Sequence, residues 1–275
     1  MFRWLCAVAV AAAAVARPGN LSLVFCDTKR ALNDGTVTAA QLATLLPALV
    51  AAMGCNGLRV PLVPTVLAPS QQTAAFNFTI SFARAQRLGI YASPMEGAWP
   101  AVGGTAARYA AWVAALASAF LPTHLSVFNE VGSACPASGS CMESVVTAVR
   151  RALPAPLPLF VGPDAAHVAS SLADVRSRPH ALNVFDIVSS HNAGADASNT
   201  AATWRALTVA AGARPIWSSE NPACFTLAPC LAYGGMDAAI SAGASGLVSW
   251  NTLNDDVLLN GTRTDKGADI AAHTS

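Results

Sequence analysis

The sequence predicts an α/β chain folded as a single (β/α)8 TIM barrel, and three observations carry that prediction. Short apolar runs rich in β-branched or aromatic residues alternate with alanine-rich helical stretches. Strand starts recur at roughly thirty-residue intervals, as a βα unit requires. No linker, low-complexity tract or composition break divides the 275 residues, a length that suits a minimal eight-unit barrel. The competing architecture, an open doubly wound sheet, would be favoured by a glycine-rich first turn. Cys26-Asp27-Thr28-Lys29 contains no G-x-G-x-x-G.

The units follow one another in order. Strand Leu21–Cys26 leads to helix Thr38–Met53, and strand Gly57–Pro61 to helix Ser70–Leu88. Strand Ile90–Pro94 precedes helix Thr105–Leu121, and strand Leu125–Asn129 precedes helix Ser140–Leu153. Leu157–Gly162 is followed by Ala165–Val175, Phe185–Ser190 by Ser198–Ala211, and Pro215–Ser219 by Leu231–Ala242. Gly246–Trp250 is the eighth strand, and a last helix is expected near Lys266–His273.

The first sixteen residues stand outside this plan. Arg3 gives a positive start, Trp4 to Ala13 form a short apolar region, and Ala14-Val15-Ala16 is an A-x-A cleavage signature. Residues 1–16 are therefore expected to be a signal peptide and 17–275 the barrel, with the mature protein secreted. No later stretch runs ~18 apolar residues without interruption, so no membrane span is expected after cleavage. With 16 basic and 15 acidic side chains, the chain has no positive surplus for neutralising phosphates, which argues against nucleic acid as a partner. Only 11% of residues are charged and 53% are hydrophobic, which excludes disorder. A monomer is expected.

Cysteine usage agrees with secretion. Beyond Cys6 in the leader there are six cysteines, an even number that suggests disulfides. Cys135/Cys141 and Cys224/Cys230 each enclose five residues, short enough to staple one loop. Cys26 ends strand one and Cys55 precedes strand two, so at ~3.3 Å rise per residue they are expected to lie beyond bonding reach, free and buried. Asn20, Asn77 and Asn260 open N-x-S/T sequons and are glycosylation candidates.

In a barrel of this kind the active site lies at the C-terminal ends of the strands. Those ends carry Arg59, Glu96, Asn129-Glu130, Asp164, His191-Asn192, Glu220 and Trp250-Asn251, each directly after an apolar run. Glu130 on strand four and Glu220 on strand seven face one another across the barrel mouth. Two carboxylates about 5–5.5 Å apart are what a retaining glycosidase needs: one attacks the anomeric carbon while the other protonates the leaving oxygen and later activates water. The five histidines form no H-x-H or H-E-x-x-H pair, and no G-x-S-x-G elbow or Walker loop is present. No metal or cofactor is expected.

Several segments resemble the clan A glycoside hydrolases, a (β/α)8 group with catalytic glutamates on strands four and seven. Leu125-Ser126-Val127-Phe128-Asn129-Glu130 resembles their strand-four motif and Ile216-Trp217-Ser218-Ser219-Glu220 their strand-seven motif. Gly57-Leu58-Arg59-Val60-Pro61 is similar to strand two, Phe160-Val161-Gly162-Pro163 to strand five, and Phe185 to His191 to strand six. The resemblance implies Glu130 as acid/base, Glu220 as nucleophile, Asn129 as the partner of the sugar 2-hydroxyl, and Arg59 as the group that keeps Glu220 ionised. It implies that His191 orients one of these carboxylates or binds sugar, and that Trp250 floors the sugar site. Trp99, Glu96 and Asn192 are further sugar-contact candidates, whereas Trp112 shares helical spacing with Tyr109 and Leu116 and belongs to the core. Glu130 should have the higher pKa of the two glutamates, because a neighbouring carboxylate disfavours its charged form. Short loops suggest an open cleft, which favours endo action on a β-glucan-type polysaccharide. The alternative is a secreted barrel that binds carbohydrate without turning it over.

Overall fold

A computed structural model describes residues 22–35, 37–62, 71–95, 98–102, 104–130, 139–192, 198–221 and 235–249. The strands are β1 (Leu23–Asp27), β2 (Gly57–Leu62), β3 (Gly89–Pro94), β4 (His124–Ser126), β5 (Leu159–Ala165), β6 (Ile187–His191), β7 (Ile216–Asn221) and β8 (Gly246–Ser249). They close into a barrel in chain order, every neighbouring pair parallel, with β1 returning to β8. The helices are α1 (Lys29–Asp34), α2 (Ala39–Met53), α3 (Gln71–Ala85), α4 (Ala98–Ala101), α5 (Ala106–Phe120), α6 (Gly139–Ala152), α7 (Val168–Ser177), α8 (Ala201–Ala211) and α9 (Gly235–Ser241). The eight predicted βα units are thus present, except that the expected last helix at Lys266–His273 lies outside the described residues.

Both faces of each strand are covered, which is why the strands read as nearly continuous apolar runs rather than as alternating ones. Along β1, Val24 and Cys26 turn outward to the helix layer, while Phe25 turns into the barrel. The lumen is filled by Phe25, Tyr91, Val161, Ile187, Trp217 and Val248. The Phe25 and Trp217 rings lie 5.3 Å apart. Such large rings fit only because glycine opens two strands: a Cβ on Gly57 would overlap Phe25, and one on Gly246 would overlap Trp217.

Helix α2 begins where its sequence says it should. The Thr38 hydroxyl accepts from the Gln41 amide at 3.2 Å, and the Gln41 side chain accepts from the Thr38 amide at 2.9 Å, a reciprocal cap. It ends at Gly54, whose φ of 61° is a left-handed conformation that glycine adopts without penalty.

Three features depart from expectation. Strand four stops at Ser126, three residues short, because Phe128 to Glu130 leave the ladder for the barrel mouth: the Ser126 hydroxyl donates to the Phe128 carbonyl at 2.5 Å. Helix α1 was not anticipated. Cys26 and Cys55, expected to be free, are joined by a disulfide with Cα atoms 5.8 Å apart. The expectation placed Cys26 at the top of strand one and Cys55 below the start of strand two, which at ~3.3 Å per residue would hold them apart along the barrel. Instead Gly54 turns the chain, and Asn56 bonds back to Val24 through both its main chain and its side chain, so that Cys55 sits against the outer face of β1. Cys141 is also disulfide-bonded; both described cysteines besides it are taken, so its partner is outside the described residues. Cys135, Cys224 and Cys230 lie outside them too. Asn77 is exposed on α3; Asn20, Asn260 and residues 1–16 are not among the described positions.

Candidate active site

The C-terminal ends of β1, β2, β4, β5, β6 and β7 bring seven ionisable side chains into one cluster. Arg59, buried within β2 and level with Asp27 at the end of β1, is its centre. Its Nη1 donates to Glu220 Oε2 at 2.6 Å, Nη2 to Asn129 Oδ1 at 3.0 Å and Nε to Ser93 Oγ at 3.0 Å. Asp27 Oδ2 lies 3.6 Å from Nη1, and the guanidinium covers the Tyr91 ring at 5.6 Å. A planar fork with several donors suits this task; a single ammonium could not hold three partners in fixed directions.

His191, fully buried at the end of β6, stands between the two glutamates. Its Nδ1 is 3.5 Å from Glu130 Oε1, and its Nε2 is 3.7 Å from Glu220 Oε2 and 3.9 Å from Asp164 Oδ2. These separations exceed hydrogen-bond length, so the attraction is ionic. Burial opposes the imidazolium, but Glu220, Asp164 and Glu130 outweigh it and raise the His191 pKa to about 9.

The two glutamates occupy different environments. The Glu220 side chain is 11% exposed and that of Glu130 33%. Burial alone would push the Glu220 carboxyl up; His191, Arg59 and Lys29 pull it down to about 2, so it stays ionised. Glu130 is lowered mainly by His191, against its own burial and against the charge of Glu220. The repulsion expected from the neighbouring carboxylate is therefore present, but the imidazolium at 3.5 Å overrides it in the free site.

Backbone geometry presents these groups. Glu130 and Asp164 both have left-handed φ, 57° and 60°, and the Glu130 amide donates to the Asp164 carbonyl at 2.9 Å. Such conformations in non-glycine residues cost on the order of 1–3 kcal/mol and persist where the surroundings over-determine them. Asp164 is over-determined: its carboxylate accepts from Tyr91 Oη at 2.8 Å, Ser189 Oγ at 2.7 Å and Ser219 Oγ. Burial opposes its charge, yet His191, Arg59 and Ser219 keep its pKa well below the carboxylate range.

Of the sequence candidates, Arg59, Asn129, Glu130, His191 and Glu220 come together. Asn192 is buried beside them and its main-chain N–H donates to the Glu220 main-chain carbonyl at 2.8 Å. Trp99 packs on Tyr109 at 5.0 Å, which stacks on Phe128 at 5.6 Å, so it supports the strand-four end from behind; Trp112 also lies against Tyr109, in the core. Glu96 and Trp250 fall outside the described residues. Sequence reasoning missed Asp27, although it follows an apolar run directly, the same signal that singled out the other strand ends, and it missed Lys29, two residues further on. It noted Asp164 without a role. Among the described residues no group of His, Cys, Asp and Glu is arranged to hold a metal ion.

No protein-family model matches the chain, and no curated protein matches it. Solved structures do match in fold. The catalytic domain of Thermobifida fusca endoglucanase Cel5A aligns with a TM-score of 0.60 at 14% identity, covering 94% of this chain and 92% of that one. A GH30 endoxylanase from Clostridium papyrosolvens aligns at 0.60 and 12%, covering 94% and 72%. Endo-glycoceramidase II from Rhodococcus sp. aligns at 0.63 and 13%, covering 91% and 78%. These likenesses show that the chain shares the (β/α)8 fold of these structures.

Proposed function

We propose that the chain is a secreted retaining β-glycosidase acting on β-linked polysaccharide or oligosaccharide, with Glu220 as nucleophile and Glu130 as acid/base. The observation that carries this reading is the placement of both glutamates on the same buried imidazole, one ionised and clamped by Arg59, the other partly open to solvent. In the first step a Glu220 oxygen bonds to the anomeric carbon as the glycosidic C–O bond breaks. The leaving oxygen takes its proton from Glu130. In the second step water attacks the same carbon, Glu130 removes the water proton, and the bond to Glu220 breaks. Double displacement returns the original anomer and requires no cofactor.

Endo action on a β-glucan-type chain is the favoured mode. Endo-acting enzymes among the structural neighbours support it, and one neighbouring endoglucanase was solved with cellotetraose. Secretion is supported by the A-x-A signature and fits the Cys26–Cys55 disulfide.

Incubation with a 2-deoxy-2-fluoro β-glycoside carrying an activated leaving group tests the assignment. The account expects one sugar per chain, attached to the peptide that contains Glu220, and β-anomer as the first product by proton NMR. A label elsewhere, or α-anomer first, overturns it.

A further inference from the structure

Lys29 is the least expected member of the cluster. It opens α1, and its side chain is 4% exposed, although a lysine carries a strongly hydrated charge. The main-chain amide of Lys29 is held by Asp27 Oδ1 at 2.7 Å, which turns its side chain across the barrel mouth. The Nζ donates to Asn129 Oδ1 at 3.0 Å and lies 3.7 Å from Glu220 Oε2.

Asn129 Oδ1 therefore accepts from two cations, Lys29 and Arg59. Only an oxygen can do so, which fixes the amide against flipping. The consequence appears at the other end of the same amide: Asn129 Nδ2 is buried and has no hydrogen-bond partner among the described residues. An orphaned buried donor costs about 1–3 kcal/mol unless something arrives to accept from it.

We propose that Lys29 is a positioning residue that locks the Asn129 amide with Nδ2 as the free donor for the substrate and, when protonated, adds a second positive charge beside Glu220. The inference rests on the glycosidase reading for the identity of the acceptor, a sugar hydroxyl. Its charge role does not depend on that reading. The groups facing Glu220 are Lys29 from α1, Arg59 from β2 and His191 from β6, with Asp27, Glu130 and Asp164 as the neighbouring carboxylates. Burial first and then the charge of Arg59 lower the Lys29 pKa from its ordinary value, against the opposing pull of Glu220, Asp27 and Asp164.

Lys29→Met and Lys29→Arg in the full chain provide the test, with two readouts. The first is a carbon-13 carboxyl titration of Glu220, assigned by its loss in Glu220→Gln; it reads the site whether or not any glycoside is turned over. The Glu220 midpoint should rise in Lys29→Met and return in Lys29→Arg, and an unchanged midpoint in Lys29→Met overturns the charge role. The second compares an aryl β-glycoside with its 2-deoxy analogue. Lys29→Met should lower kcat about tenfold on the former with KM little changed, and barely affect the latter. Equal losses on both substrates overturn the positioning role. If Lys29→Met fails to fold, Lys29→Gln keeps a donor without the charge. It should raise the Glu220 midpoint while sparing the 2-hydroxyl preference, and the reverse result overturns the proposal. Absence of turnover in every protein, wild type included, counts against the glycosidase reading, and the titration then decides the role of Lys29 alone.

Discussion

Arg59 donates to Glu220 at 2.6 Å across the barrel, from within β2 to the end of β7. The arginine is wholly buried, so this pair cannot be replaced by water. Removing one partner of a buried pair leaves an uncompensated charge, at a cost of about 3–5 kcal/mol.

Arg59→Met should therefore lower thermal stability by roughly 10 °C in a chain of this size. It should also move the acid limb of activity to higher pH, since Arg59 helps keep Glu220 ionised. Differential scanning calorimetry and a kcat/KM profile measure both. A stable variant with an unmoved acid limb would show that the contact is ornamental.

Glu130 should matter most where the leaving group needs a proton. Glu130→Ala should slow natural glycosides about a hundredfold more than activated aryl glycosides, because general acid catalysis contributes on the order of 10²–10⁴-fold. Added azide should restore part of the rate on aryl substrates as the glycosyl azide. Equal losses on both substrate types would contradict the acid role.

Stability should be greatest between about pH 4.5 and 6.5. Glu220, depressed to about 2, stabilises the fold above its ordinary value near 4.5, and this contribution is lost as pH falls toward 2. His191, raised to about 9, contributes fully below 6.5, and its contribution is lost as pH rises through 9. The alkaline loss should be on the order of 3 kcal/mol, or roughly 5–10 °C. His191→Asn should flatten that limb. A melting temperature constant from pH 6.5 to 9 in the wild type would contradict the protonated imidazole.

The barrel and most of its site are legible in the sequence because parallel strands covered on both faces are continuous apolar runs. A polar residue that ends or interrupts such a run stands out: Asn129-Glu130, His191 and Glu220 end theirs, and Arg59 interrupts its own. Glu130 shows the limit of that signal. Its left-handed φ goes with a main-chain hydrogen bond to the Asp164 carbonyl, thirty-four residues away, which no local pattern encodes. Lys29 is hidden differently: a lysine after a strand reads as solvated surface, and only the convergence of Asp27, Asn129 and Glu220 explains its burial. The Cys26–Cys55 pair was misjudged because the rise along the strands was used to set the distance, whereas Cys55 lies outside β2, where the chain turns at Gly54 and comes back against β1.

That disulfide closes a loop with a sequence separation of 29 residues, which in the chain-entropy account stabilises by about 3–4 kcal/mol. Cys26→Ala with Cys55→Ala should lower the melting temperature by about 10 °C while retaining activity at room temperature. Both sulfurs sit on the helix side of β1, away from the catalytic cluster. Loss of activity at full folding would refute the separation of the two roles.

The most direct test of the account is reducing-sugar release from a panel of β-glucans, mannans, xylans and galactans by wild type and Glu220→Gln side by side. The account predicts release from a β-glucan by wild type, with a loss on the order of a thousandfold or more in the variant and polysaccharide binding retained by both. Silence of the wild type across the panel, with polysaccharide still retarding it in an affinity gel, would contradict the account and leave a barrel that binds carbohydrate without cleaving it.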